Sequence, residues 1–254
     1  MDIVLIGSGN VAHHLGKGLQ AAGHRIVQVY SRTADHAQEL AKVLHSESIN
    51  SLVAISPDAD LYLLAVTDQA LPELVQQLPA SWQGTVVHCS GATPLGLLEK
   101  RERYGVIYPP QSLSKDVPTD LSLIPFAIEG NSQEVTEFLL KQMSAIAPLS
   151  FEATTEQRLA LHLAAVFANN FSNAMYQIAF DILAAQNLSA DFIRPIILET
   201  ANKVQKRLPQ EVQTGPARRN DEQTMQKHLD YLKQEPDWQT IYQLISQFIK
   251  KSEI

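Results

Sequence analysis

A chain of 254 residues, 45% of them hydrophobic and 19% charged, has globular composition and room for two cores of ordinary size. Its formal charge of −7, with no basic face in view, argues against a nucleic-acid partner, because phosphate binding needs concentrated positive charge. The single cysteine, Cys89, excludes an intramolecular disulfide and a cysteine-cluster metal site and fits a reducing compartment, so a cytoplasmic protein with small-molecule partners is expected.

Residues Asp2 to Ile6 open the chain as a strand, without the basic and apolar regions of a secretory signal. A helix over Val11 to Ala22 follows and stops at Gly23, the residue type that best takes a left-handed position. Arg25 to Tyr30 reads as the second strand, Ala34 to Leu44 as the second helix, and Ser46 to Ile49 as a short third strand. Leu61 to Val66 is a continuous apolar run, as expected of a central strand buried on both faces. Further strands are predicted at Val86 to His88, Val106 to Tyr108, Phe126 to Glu129 and Leu149 to Phe151. After Glu152 the alternation ends and the pattern becomes helical. The reading is a doubly wound, mostly parallel α/β sheet over residues 1–152 followed by an all-α domain over 153–254. No run approaches the roughly 20 uninterrupted apolar residues of a membrane span; the richest, Leu159 to Phe171, is broken by His162, Asn169 and Asn170.

Gly7-Ser8-Gly9-Asn10-Val11-Ala12 is a GxGxxA sequence, a weak signal alone and a strong one where a strand gives way to a helix. The first glycine permits the tight turn, the second lets a pyrophosphate approach the backbone, and the alanine permits close helix packing. This is the fingerprint of a Rossmann dinucleotide site. At the end of the second strand, Ser31-Arg32-Thr33 stand where NAD-binding domains carry a carboxylate, and a guanidinium there suits the 2′-phosphate of NADP. Arg32 as a solvated loop residue is the bland alternative. Val66 at the end of the fourth strand, Thr67-Asp68 after it and His88-Cys89-Ser90-Gly91 after the fifth are expected to line the nicotinamide side; Asp68 as a helix cap and Gly91 as a plain turn are the alternatives. Nothing cationic is arranged to activate Cys89, which reads as packing.

Thr155 to Asn187 reads as one long helix. At roughly 100° per residue, Asn169 and Asn173, seven and eleven positions beyond His162, point within about 20° of one line with it. Such a stripe makes a substrate wall, with His162 as proton donor to the atom that accepts electrons, unless these groups only satisfy buried backbone or face solvent. Thr214 to Asp221 forms a stiff turn with Arg218 and Arg219 ahead of a helix that Asp221 can cap, suited to a carboxylate ligand.

Taken together, Gly7 to Ala12, His88-Cys89-Ser90-Gly91, Pro109-Pro110-Gln111, the His162 to Asn173 helix and Thr214 to Asp221 make the chain resemble a bacterial family of NADP-oxidoreductase-like proteins. That family pairs a Rossmann-like domain with a C-terminal helical domain of unknown function. The resemblance covers essentially the whole chain and selects Arg219, rather than Arg218, as the matching arginine. Relatives commonly carry His-Pro before the glutamine; Tyr108-Pro109-Pro110 stands here, so no catalytic histidine transfers to that loop. The fold is further similar to pyrroline-5-carboxylate, ketopantoate and 6-phosphogluconate dehydrogenase-type enzymes, whose helical domains often build dimers, which implies a homodimer. The lysine and asparagine of the β-hydroxyacid branch are absent, since Val166 stands four residues past His162. The expectation is NADPH-dependent reduction of a C=O or C=N group in a small carboxylic acid, such as ketopantoate. Arg219 would hold the carboxylate while Asn169 and Asn173 orient the reacting group. A pyrroline-5-carboxylate-type imine reductase and a non-catalytic NADPH-binding regulator are the alternatives.

Overall fold

The structure is a computed structural model that describes residues 1–251. Eight strands form one sheet: β1 Asp2–Ile6, β2 Arg25–Tyr30, β3 Glu47–Ile49, β4 Leu61–Leu64, β5 Thr85–His88, β6 Tyr104–Tyr108, β7 Ala127–Gly130 and β8 Phe151–Glu152. They lie in the order β3-β2-β1-β4-β5-β6-β7-β8, parallel except where β7 runs against β6. The expected strands are therefore all present, and β4 is central as its unbroken apolar run implied.

Helices α1 Asn10–Ala21, α2 Ala34–Val43, α3 Leu71–Gln77 and α4 Gln133–Ser144 connect them. Alternate strand residues point to opposite faces, so each strand feeds two cores. Ile3, Leu5, Leu63 and Val87 pack with Leu15 and Leu19 of α1, Leu40 of α2 and Leu139 of α4. Val4, Ile6, Tyr62, Leu64 and Val86 pack on the other face with Leu71 of α3, Trp82 and Leu98. Each such side chain contributes about 1.5–3 kcal/mol when fully buried. Gly23 takes φ 87° just after α1, in the left-handed region only glycine enters freely.

Two compact units divide the chain, Met1–Asn170 and Phe171–Ile254. The boundary lies later than the change of pattern at residue 152, because α5, Thr155–Ala165, is bonded into the sheet unit through a buried arginine described below. A capping box fixes its start, Thr154 accepting from the Gln157 amide while the Gln157 side chain accepts from Thr154. A π-helical segment, Val166–Phe171, follows.

The second unit contains α6 Ser172–Ala184, α7 Arg194–Val204, α8 Pro209–Val212, α9 Glu222–Tyr231 and α10 Pro236–Lys251. Asn187, at φ 56°, ends the helical run as expected, and Asp221 caps α9 by accepting from the Thr224 amide at 3.0 Å. Among the described residues no helix is long and apolar enough to cross a membrane.

Candidate functional site

The carboxyl end of β1 turns at Gly7, whose φ is 115° and whose amide donates to the Tyr30 carbonyl at 2.8 Å. A Cβ there would lie 2.2 Å from the Ala65 carbonyl oxygen, so the turn requires glycine. Gly9 differs. It is the N-cap of α1, without a side-chain hydrogen bond, and a Cβ built on it meets nothing within 4 Å. The first amides of α1 and the positive end of its dipole therefore stand beside open space, the arrangement that takes phosphate oxygens.

That space is a cavity of about 620 Å³, lined by Gly7 to Asn10, by Ser31, Arg32 and Thr33 after β2, and by Val66 and Thr67 after β4. Because β1 lies between β2 and β4, three carboxyl ends converge where the winding reverses, the place open α/β sheets bind ligands. A dinucleotide fits on three counts: free volume beside Gly9, uncapped helix amides, and an exposed Arg32 with no carboxylate at 31 or 33. Val11, Ser90 and Gly91 do not line this cavity; Val11 packs against the core, and the other two belong to a second cluster.

His36 and Lys115, which no motif announced, also line the cavity. The loop after β6 carries Lys115 there. Its backbone amide donates to Asn10 Oδ1 at 3.2 Å, its Nζ lies 3.1 Å from Glu39 Oε1, and the Ser114 carbonyl is 2.9 Å from His14 Nε2 on α1.

The second cluster lies beyond β5 and β6. Arg158 of α5 is fully buried and paired with Glu129 of β7 at 2.9 Å. Its other terminal nitrogen donates to the carbonyls of Ser90, Gly91 and Thr93 at 2.9, 3.0 and 2.8 Å. Thr155 Oγ1 donates to the second Glu129 oxygen at 2.7 Å. The Ser90–Thr93 loop is thus fixed through its carbonyls to a helix and a strand. Within it, Ser90 Oγ accepts from the amides of Ala92 and Thr93, and the Ser90 amide donates to His88 Nδ1 at 3.2 Å. Burial and then the Arg158 charge hold His88 down to about 4, which keeps it neutral. Burial pushes the Cys89 thiol up to about 12, in keeping with the packing role read for it.

His162, four residues after Arg158 on the same helix, places Nδ1 3.0 Å from the hydroxyl of Tyr108 at the end of β6. The two rings meet edge to face, centroids 5.8 Å apart. A Cβ on Gly91 would come within 2.8 Å of the His162 ring. Gly91 is glycine because the imidazole occupies that space, a more specific reason than a plain turn. Asp68 does not cap α3, whose N-cap is Ala70; its negative charge, after burial, raises the Tyr108 hydroxyl above its usual range while Arg158 opposes.

Asn169 is exposed in the π-segment that closes the first unit, while Asn173 and Arg219 are exposed in the second. An i→i+5 pattern turns by less than 100° per residue, so the regular stepping that aligned Asn169 and Asn173 with His162 does not hold across Val166–Phe171. Arg158, Glu129, Tyr108, His36 and Lys115 escaped the sequence reading. Arg158 shares the His162 face through its i, i+4 relation, but that spacing does not say whether the face meets water or a buried carboxylate.

Two family models match the chain: "NADP oxidoreductase coenzyme F420-dependent" over residues 2–88 and "Domain of unknown function (DUF2520)" over 124–249. A search of curated proteins gave no match. Among solved structures, the "putative NADP oxidoreductase BF3122" of Bacteroides fragilis is 41% identical with a TM-score of 0.89, covering 98% of each chain. An imine reductase of Myxococcus stipitatus in complex with NADP+ is 14% identical at TM-score 0.68, covering 99% of this chain and 94% of the other. A 1-pyrroline-5-carboxylate reductase of Streptococcus pyogenes is 14% identical at TM-score 0.65, covering 99% and 98%. These last two share the fold. The identity and coverage of the Bacteroides protein settle the family: this chain belongs to the NADP oxidoreductases that join a Rossmann-like domain to a C-terminal helical domain of unknown function.

Proposed function

We propose that this oxidoreductase uses NADPH to reduce a C=O or C=N group of a small carboxylic acid. The observation that carries the cofactor choice is the cavity wall at Ser31-Arg32-Thr33, where a guanidinium stands and no carboxylate does. Bound NADPH would supply the hydride. Gly7, Gly9 and the α1 amides hold the phosphates, and Arg32 pairs with the 2′-phosphate. His162 delivers a proton from its imidazole to the oxygen or nitrogen that takes up the electron pair. The imine reading gains support from two proteins with this fold, an imine reductase and a 1-pyrroline-5-carboxylate reductase.

Titrating NADPH and NADH by nucleotide fluorescence tests the cofactor. NADPH is expected to bind tenfold or more tightly, from about 1.5–3 kcal/mol for a charge-assisted contact, and Arg32→Ala to erase the difference. Equal affinity in the unaltered protein removes the role given to Arg32. A panel of keto acids and cyclic imines, followed through NADPH oxidation, tests the chemistry, and tight NADPH binding with no turnover on any member favours a regulator. Arg219 as carboxylate ligand is part of the same proposal: Arg219→Ala should raise KM for the acid substrate and leave NADPH affinity alone. A homodimer formed through the helical unit completes it.

A further inference from the structure

Within the first unit the His162 ring is held on two sides. Tyr108 meets Nδ1 at 3.0 Å, and the Gly91 backbone stands so close that a methyl group there would overlap the ring. Neither side is free to shift. Tyr108 ends a strand of the sheet and is 7% exposed, and the Gly91 carbonyl is tied to the buried Arg158–Glu129 pair. Nε2 of His162 has no hydrogen-bond partner among the described residues. The Tyr108 hydroxyl likewise has no acceptor among them other than Nδ1.

We infer that Tyr108 is the positioning residue for His162, gripping Nδ1 in both protonation states so that Nε2 is the nitrogen that delivers the proton. The inference rests on the reductase reading above. A hydroxyl both donates and accepts, which a carboxylate does not. Against the imidazolium it accepts from Nδ1–H, and Nε2–H is the proton left to give. After the transfer the neutral ring keeps its proton on Nδ1, still accepted by the Tyr108 hydroxyl, and the Nε2 lone pair takes up the next proton. In the transfer the Nε2–H bond breaks and its electrons stay on the ring. The proton joins the oxygen or nitrogen lone pair of the reduced group, and neutral His162 regains a proton from water. The protein gains and loses no electrons. The charged and titratable groups around the pair are Asp68, Arg158 with Glu129, and His88. Burial and Asp68 keep the phenol protonated, so the grip never becomes a second negative charge.

The test is the ring tautomer, read by nitrogen-15 NMR of labelled protein at a pH where His162 is neutral. The unaltered protein is expected to hold the Nδ1–H form over Nε2–H by about fivefold or more, the worth of one hydrogen bond to the Tyr108 oxygen. Tyr108→Phe, which keeps the ring and its packing, should abolish that preference. It should lower kcat about tenfold with KM and NADPH affinity within twofold, and it should shift the pH profile of kcat. An Nε2–H ring in the unaltered protein, or a preference that survives in Tyr108→Phe, overturns the inference. The tautomer needs neither substrate nor nucleotide, so failure of the reductase reading would show separately, as missing NADPH binding or turnover.

Discussion

One added methyl group at position 91 has nowhere to go, since its carbon would sit 2.8 Å from three atoms of His162 while the loop beneath it is bolted down by Arg158. Gly91→Ala should therefore push the imidazole aside rather than move the loop. Displacing a reacting group by about 1 Å can cost a hundredfold in rate. Turnover is expected to fall by about ten- to a hundredfold with NADPH affinity unchanged, because Gly91 is not on the cavity wall. Unaltered kcat would show that the ring has room to give. His88 offers a second residue-scale expectation, in stability. Its folded value is depressed from 6.5 to about 4, so between those limits the unfolded chain binds the extra proton and stability falls as pH drops from about 6.5 to 4. The loss is on the order of 3 kcal/mol by the usual conversion. Urea midpoints at pH 7 and pH 4.5 check this; in His88→Gln the part of the slope within that window should disappear, and an unchanged slope would assign it to other groups.

At the scale of elements, α5 belongs to the sheet through one side chain. Arg158 satisfies Glu129 and three loop carbonyls at once, so its removal strands a carboxylate that is 13% exposed together with the carbonyls. Breaking a buried pair from one side costs about 3–5 kcal/mol. Arg158→Met should lower the urea midpoint accordingly, and a change under about 1 kcal/mol would mean that water replaces the guanidinium freely. This element also shows where sequence reading stopped. Strand β4 and the turn at Gly7 were legible because unbroken apolar runs and a glycine between strand and helix have few other physical meanings. Arg158 was not, because an arginine on an amphipathic helix has the same letter whether it meets water or a buried carboxylate. Nor was the π-segment. Leu159, Leu163, Phe167 and Phe171 recur every four residues straight through it, so apolar spacing marks no change of pitch. The boundary at 152 marked where strands end, whereas the compact unit runs on because α5 is bonded into it.

The whole molecule presents a helical unit without a core of its own. Among the described residues of Phe171–Ile254 only Ala217, Leu232 and Ser246 are buried. Ordering each residue costs about 1–2 kcal/mol of backbone entropy, which three small burials cannot offset. Meanwhile Phe192, just ahead of α7, and Ile196 and Leu198 within it remain 71%, 60% and 63% exposed. Exposed apolar side chains suit an interface, and a second copy of the chain is the proposed partner. Sedimentation at micromolar concentration is expected to give a dimer, and the double variant Phe192→Asp with Leu198→Asp to give a monomer with a lower unfolding midpoint. The loss should fall on the helical unit first, because the sheet unit keeps both faces of its own core. In amide exchange, α6, α7 and α10 should lose protection while β1, β4 and β5 retain it. A unaltered chain that sediments as a monomer with α7 fully protected would show that the unit stands alone, and the proposal of a second copy would go with it.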